Sequence, residues 1–303
     1  MEWTRTDGYK RRNVSYIHTT NETAEDASLH RPGTIWFSVL VSECILILMI
    51  NAFTLLAFAR NRHLRKNTTY LIINLTVADL LVGAVSEPLS IICEIKLGCV
   101  SRWRQFFYLT LHYLFPGSSL VNLSLISLER LHATLYPFKH CLVGKWVYFR
   151  VIISCWLLAL LSASLCSVLE IHEPVARLYT MASYDVVTLL IVAISYAIII
   201  FKVKSSSLNH QPFGSLASDR KLSVTLFIVT AVSILTILPW AIYVVISVIL
   251  SLPSSKTNHI LTKTTTVLFY ANSMVNPLIY AIRMQEFRQA LKELIGKKNS
   301  INK

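Results

Sequence analysis

The residues best equipped for chemistry are charged or amide-bearing side chains set inside apolar runs. Glu129 and Arg130 interrupt the stretch LISLERLHATLYP (125–137). A neighbouring acid and base form an ion pair whose strength depends on how far water is excluded. Asn51, Asp79, Ser119, Asn272 and Asn276 also sit within apolar surroundings. One carboxylate among neutral oxygens suits a hydrogen-bond cluster or a hard cation. The six Cys residues, Cys44, Cys93, Cys99, Cys141, Cys155 and Cys166, have no metal-site spacing. Cys93 and Cys99 either close a small outer loop or remain thiols. No enzymatic activity is expected.

Such residues need elements that hold them away from water. The 303-residue chain is 54% hydrophobic and 15% charged, against roughly 25% charged in a soluble domain. Seven apolar segments, near 34–59, 68–94, 105–129, 147–169, 181–201, 222–252 and 260–282, each reach the roughly 20 residues of a spanning helix. The sixth has no charged residue over 31 positions. The second holds Asp79 and Glu87 and the fifth holds Asp185, so these acids should face the protein interior. Segments 60–67, 129–150, 202–221 and 283–303 carry four, four, four and six Lys or Arg, whereas 95–104, 170–180 and 253–263 carry three, one and two. The bias puts the latter loops and the amino terminus outside. The net charge of +13 therefore reflects membrane topology, and no nucleic-acid motif is present.

The expected fold is an all-α membrane protein, a seven-transmembrane helix bundle with a short cytoplasmic amphipathic eighth helix. Residues 1–33 read as an extracellular disordered tail, 34–282 as the bundle, and 283–303 as the amphipathic helix and a short cytoplasmic tail. The outer tail carries glycosylation acceptors at Asn13 and Asn21. Similar triplets at Asn67, Asn74 and Asn122 fall inside or within the bilayer and read as chance. Over 284–295, Phe287, Leu291, Leu294 and Ile295 share one side while Arg288 and Lys292 lie on others, as in a helix lying along the inner leaflet.

A rise of about 1.5 Å per residue puts Asn51, Asp79, Ser119, Asn272 and Asn276 near or slightly below mid-bilayer. A carboxylate there is costly unless paired, hydrated or protonated. Glu129 and Arg130 fall where the third helix meets the cytosol. Arg130 can hold its neighbour, hold an acid across the bundle such as Asp219, or reach lipid head groups. Pro239 removes a backbone hydrogen bond from the sixth helix and forms a hinge.

NLTVADLL in the second segment, LER closing the third, CW in the fourth, LPW in the sixth and NPLIYAIRMQEFRQALKEL at the end resemble the rhodopsin-like G-protein-coupled receptors over residues 34–295. The last stretch is closest in wording to adenosine and melanocortin-type receptors. The resemblance implies a sodium pocket at Asp79, against the plainer alternative of a packing cluster, and otherwise no cofactor. It makes Asp219 the second acid of a lock on Arg130, and Tyr196 and Tyr280 the stabilisers of an opened form. Pro277 joins Pro239 as a hinge. The signal would pass to a heterotrimeric G protein by an outward swing of the sixth helix.

Departures from the family pattern qualify these expectations. Gln105 replaces the usual disulfide Cys, Thr188 a common Pro, Ile237 the toggle Trp and Ser233 a common Phe. Spacing and the family's pocket positions single out His112, Tyr113, Trp240, Tyr243, Thr266 and Tyr270 for an unknown small-molecule or peptide ligand. His112 stands where amine receptors carry Asp, Val244 where adenosine receptors carry Asn, and Tyr270 where opsins carry Lys. These substitutions disfavour a monoamine, adenosine and retinal. Arrestin is a further expected partner, with Ser205, Ser206, Ser207 and Ser300 as phosphorylation candidates. The expected location is the plasma membrane. The competing assignments are a small transporter or channel, against which no internal repeat is found, and a constitutively active receptor-like protein.

Overall fold

The computed structural model describes residues 35–61, 69–96, 102–208, 216–250, 256–283 and 285–294. The amino-terminal tail with Asn13 and Asn21, the Cys99 position and Ser300 lie outside them, as do the side chains of Cys93, Asp219 and Ser205–Ser207. The chain divides into two units, Met1–Ser42 and Glu43–Lys303. The described residues are nearly all helical, with no strand among them.

Helix α1 runs Ile35–Arg60. The second apolar segment is α2 (Thr69–Leu81), a π-turn (Val82–Ser86) and α3 (Glu87–Lys96). Then come α4 (Arg102–Leu135), α5 (Pro137–Cys141), α6 (Lys145–His172), α7 (Pro174–Leu208), α8 (Leu216–Leu250), α9 (Lys256–Arg283) and α10 (Gln285–Leu294). Ile35–Arg60, Thr69–Ile92, Lys145–His172, Val175–Lys202 and Phe227–Ser247 are long and apolar enough to cross a membrane. The more polar α4 and α9, of 34 and 28 residues, supply the other two spans of the seven-transmembrane fold. Several helices outrun the apolar segments that foretold them. The stretch 170–180, expected as an outer loop, is helical except at Glu173. An apolar window sees only the hydrocarbon zone, whereas a helix continues into the head groups while its hydrogen bonds remain satisfied.

Within Glu43–Lys303, α4 touches α2, α3, α5, α6, α7 and α8. Its contact with α6 is close because α6 turns Cys155, Ala159, Ala163 and Ser167 inward, all buried and four residues apart. Thr110 donates to Ser167 Oγ at 3.0 Å across this seam. The opposite α6 face exposes Leu157, Leu158, Leu161 and Leu165, the pattern of a helix that meets lipid.

The π-turn was not foreseen. Pro88 lacks an N–H and its ring crowds the carbonyl four residues earlier. The helix widens just before it, so that Glu87 N–H reaches Val82 O, five residues back. Gly83 inside the turn faces α1; a Cβ there would lie 2.7 Å from Ile47 Cγ2, too close for any larger residue without displacement.

At the other end of the chain, Phe287 is fully buried and Ala290 nearly so, while Arg288 and Lys292 are exposed. The Phe287 ring meets Phe58 of α1 at 5.3 Å and Tyr280 of α9 at 6.3 Å. The apolar side of α10 thus packs against protein through Phe287. The Leu294 side chain and Ile295 lie outside the described residues.

Candidate functional site

Asp79 reaches the centre of the protein because α2 turns Leu71, Leu75, Ala78 and Asp79 away from lipid. Ser119 of α4 donates to Asp79 Oδ1 and Asn276 of α9 donates to Oδ2, both at 2.7 Å. The Ser273 side chain, not anticipated, lies beside Asp79. Asn51 donates instead to Ile47 O and Ser273 O, both at 3.0 Å, leaving its own Oδ1 buried without a partner. Asn272 Oδ1 accepts from Thr236 and Asn276 Oδ1 from Ser233, both at 3.5 Å. The five expected residues are therefore all buried, and two of them touch Asp79 directly. An orphaned amide oxygen, hydroxyls and a carboxylate make a donor set that suits a small hard cation.

A second polar chain lies closer to α6. Trp156 Nε1 donates to Asn74 Oδ1 at 3.0 Å, Asn74 Nδ2 to Asn122 Oδ1 at 2.6 Å, and Asn122 Nδ2 to Ser118 O at 2.9 Å. These amides, seen in sequence only as chance glycosylation triplets, tie three spans together. Their depth was the available signal, since an amide within a bilayer requires a partner. Asn74→Leu should strand the Trp156 N–H and the Asn122 oxygen, lowering stability by about 2 kcal/mol. A thermal melt of the purified protein checks this, and an unchanged midpoint would refute it.

Near the C-terminal end of α4, Arg130 donates from Nε to Glu129 Oε2 at 2.5 Å and from Nη2 to Oε1 at 2.6 Å. Its side chain is only 3% exposed. Glu129 Oε1 also accepts from Tyr148 Oη at 3.2 Å and meets His140 Nε2 at 3.2 Å. Pro137, preset for a helix's first turn, begins α5 and brings His140 back to the pair. Of the three sequence alternatives for Arg130, contact with the neighbouring acid is present, while the Asp219 side chain lies outside the described residues. Tyr196 accepts from Thr230 Oγ1 at 3.3 Å and packs on Phe227. The Tyr280 hydroxyl is buried without a partner.

Toward the opposite end of α4, a cavity of about 270 Å³ opens between α3, α4, α6, α7, α8 and α9. His112, Tyr113, Trp240, Thr266 and Tyr270 line it. Tyr243 does not; its hydroxyl bonds to Thr262 Oγ1 at 2.5 Å. His112 Nδ1 lies 3.3 Å from Ser86 O and 3.2 Å from Tyr270 Oη. The π-turn aims that Ser86 carbonyl. Pro116 and Gly117 leave α4 continuous, and the Gly117 carbonyl accepts from Tyr184 Oη at 2.8 Å. Trp240 lies against Phe269 at 5.9 Å, while Ile237 beside the Pro239 hinge position is 1% exposed. Sequence reasoning missed Arg177, Tyr184 and Asp185 in the lining, because the first was placed in a loop and the others on a helix of unknown rotation. Another missed acid, Glu43, is buried facing Glu87. The described cysteines Cys44, Cys141, Cys155 and Cys166 are free, and no metal-binding cluster of His, Cys, Asp and Glu occurs among the described residues.

The sequence matches the family described as 7 transmembrane receptor (rhodopsin family) over residues 50–175 and 164–280. It is 30% identical to the histamine H2 receptor of Homo sapiens over 293 residues, covering 86% of this chain and 79% of that receptor. It is 25% identical to the alpha-1A adrenergic receptor of Cavia porcellus over 336 residues, covering 91% and 71%. With a cavity toward one end of α4, a buried carboxylate bonded to its middle and an Arg–Glu pair near its other end, the chain belongs to the rhodopsin family of seven-transmembrane receptors.

Proposed function

We propose that this G-protein-coupled receptor accepts a small ligand in the outer cavity and transmits its arrival to a heterotrimeric G protein at the Arg130 end. The observation that carries this reading is the shared helix. His112 in the cavity and Arg130 are eighteen residues apart on α4, about 27 Å. The ligand would be closed in by Trp240 on α8 and by Thr266 and Tyr270 on α9. Pro239 and Pro277 would let the inner ends of α8 and α9 shift. Opening would separate Arg130 from Glu129, and from Asp219 if that acid also restrains it. Tyr280, whose hydroxyl lacks a partner, would then find one near Tyr196.

Sodium fits the Asp79 cluster as a stabiliser of the closed form, held by Asp79, Ser119, the Ser273 hydroxyl and the Asn51 oxygen. The basic inner segments support a plasma-membrane orientation with the amino terminus outside, Asn13 and Asn21 glycosylated, and α10 along the inner leaflet. Arrestin would engage the same inner face after phosphorylation.

Nucleotide exchange on a panel of G-protein α subunits, with the full chain in lipid vesicles, tests the central claim. Exchange above that of vesicles lacking the receptor, on at least one α subunit and lost in Arg130→Ala at equal expression, is expected. Ion current or solute uptake without exchange on any α subunit would favour the transporter or channel alternative.

A further inference from the structure

Asp185 of α7 lines the outer cavity and is 5% exposed. Its Oδ2 is fully buried with no hydrogen-bond partner. A carboxylate stripped of water and left without a counter-charge is expensive. The cavity's cation does not relieve it. Arg177 is ion-paired with Glu170 and directs Nη1 to Met181 Sδ at 3.0 Å. His112 is engaged by Ser86 and Tyr270. The remaining walls are rich in rings, those of Tyr113, Tyr184, Trp240, Phe269 and Tyr270. Aromatic faces attract a cation and stack on another ring.

We infer that the cavity takes a small organic cation bearing an aromatic ring, with its charged nitrogen held by Asp185. This rests on the cavity being the ligand site. Such a ligand supplies the partner the Asp185 carboxylate lacks, and the rings cover its hydrocarbon. The cavity volume admits a compact molecule of one ring and a short chain. The charge anchor then stands on α7, across the cavity from His112 on α4. An α4 residue without negative charge is thus compatible with a cationic ligand, contrary to the expectation drawn from His112 alone.

Thermal melts of the purified full chain in detergent, with probes matched in shape and differing in charge, test the inference. The probes are 2-phenylethylamine and its N-methylated forms, 2-phenylethanol, and 3-phenylpropanoate. The amines should raise the melting temperature by several degrees, while the alcohol and the carboxylate leave it unchanged. Asp185→Asn should weaken the amines by roughly 30-fold or more, the usual loss when one partner of a buried charge pair is removed. Thr266→Trp, which fills the cavity, should abolish their effect.

Equal stabilisation by alcohol and amine, preference for the carboxylate, no response to any amine, or full amine binding by Asp185→Asn would overturn the inference. The comparison of probes on the wild type decides even if the Asn variant does not fold. Stabilisation by neutral or anionic probes that Thr266→Trp removes would keep the cavity as the ligand site and discard only the cation. Stabilisation that survives Thr266→Trp would place the compounds elsewhere and discard both.

Discussion

Glu129→Ala should raise basal nucleotide exchange about tenfold at equal surface expression. Glu129 holds Arg130 through two short hydrogen bonds and is itself held by Tyr148 and His140. All four side chains converge where α4 ends and α5 and α6 begin. In the proposed opening, Arg130 leaves this group to face a partner, so the Glu129 contact belongs to the closed form alone. Removing a contact present in one state shifts the population by that contact's differential energy. A tenfold change corresponds to about 1.4 kcal/mol, within the usual range for coupling. Tyr148→Phe removes one of the supports of Glu129 and should produce a smaller rise in the same direction. The measurement is nucleotide exchange without ligand, on whichever α subunit responds to the wild type. Basal exchange that stays level or falls in Glu129→Ala would mean that the ion pair persists in the active form.

Replacing a bulky organic cation by sodium at constant ionic strength should lower basal exchange about fivefold, and Asp79→Asn should remove that dependence. Asp79 is 0% exposed, with one carboxyl oxygen on Ser119 and the other on Asn276. Three of the seven spans therefore converge on one group. An ion bound there would favour the form in which these spans are closest, because its ligands come from all of them. Linkage then requires sodium to oppose any change that parts them, including agonist binding. An Asn side chain keeps the shape while losing the charge that a cation needs. Equal responses to the two cations, or a sodium effect that survives Asp79→Asn, would identify the cluster as packing alone.

Much of this was legible in the sequence, for a reason that particular residues make plain. Lipid cannot satisfy a backbone or a charge, so the seven apolar segments had to be helices and Asp79 had to point inward. Glu129 and Arg130 were legible for the same reason. What escaped depends on rotation about helix axes and on close approach between helices. Asp185 was visible as an acid in an apolar segment, yet nothing in the sequence placed it in the cavity with Tyr184 and Arg177. Phe287 read as a lipid-facing residue of an amphipathic helix, but the Phe58 and Tyr280 rings cover it. Asn74 and Asn122 gave a misleading triplet because the motif is local and their bond spans 48 residues.

The π-turn at Val82–Ser86 bears on how positions in this receptor are matched to those of its relatives. One residue contributes about 100° of rotation to an α-helix. A bulge that absorbs an extra residue therefore turns everything beyond it onto a different side. Counted outward from Asp79, equivalence with a relative lacking the bulge holds as far as Leu81. From Glu87 onward it is displaced by one, so that Glu87 and Ser90 correspond in space to residues one place earlier in that relative. Ligand contacts transferred by sequence numbering alone will therefore name the wrong side chain at the Lys96 end of this span and the right one at its centre.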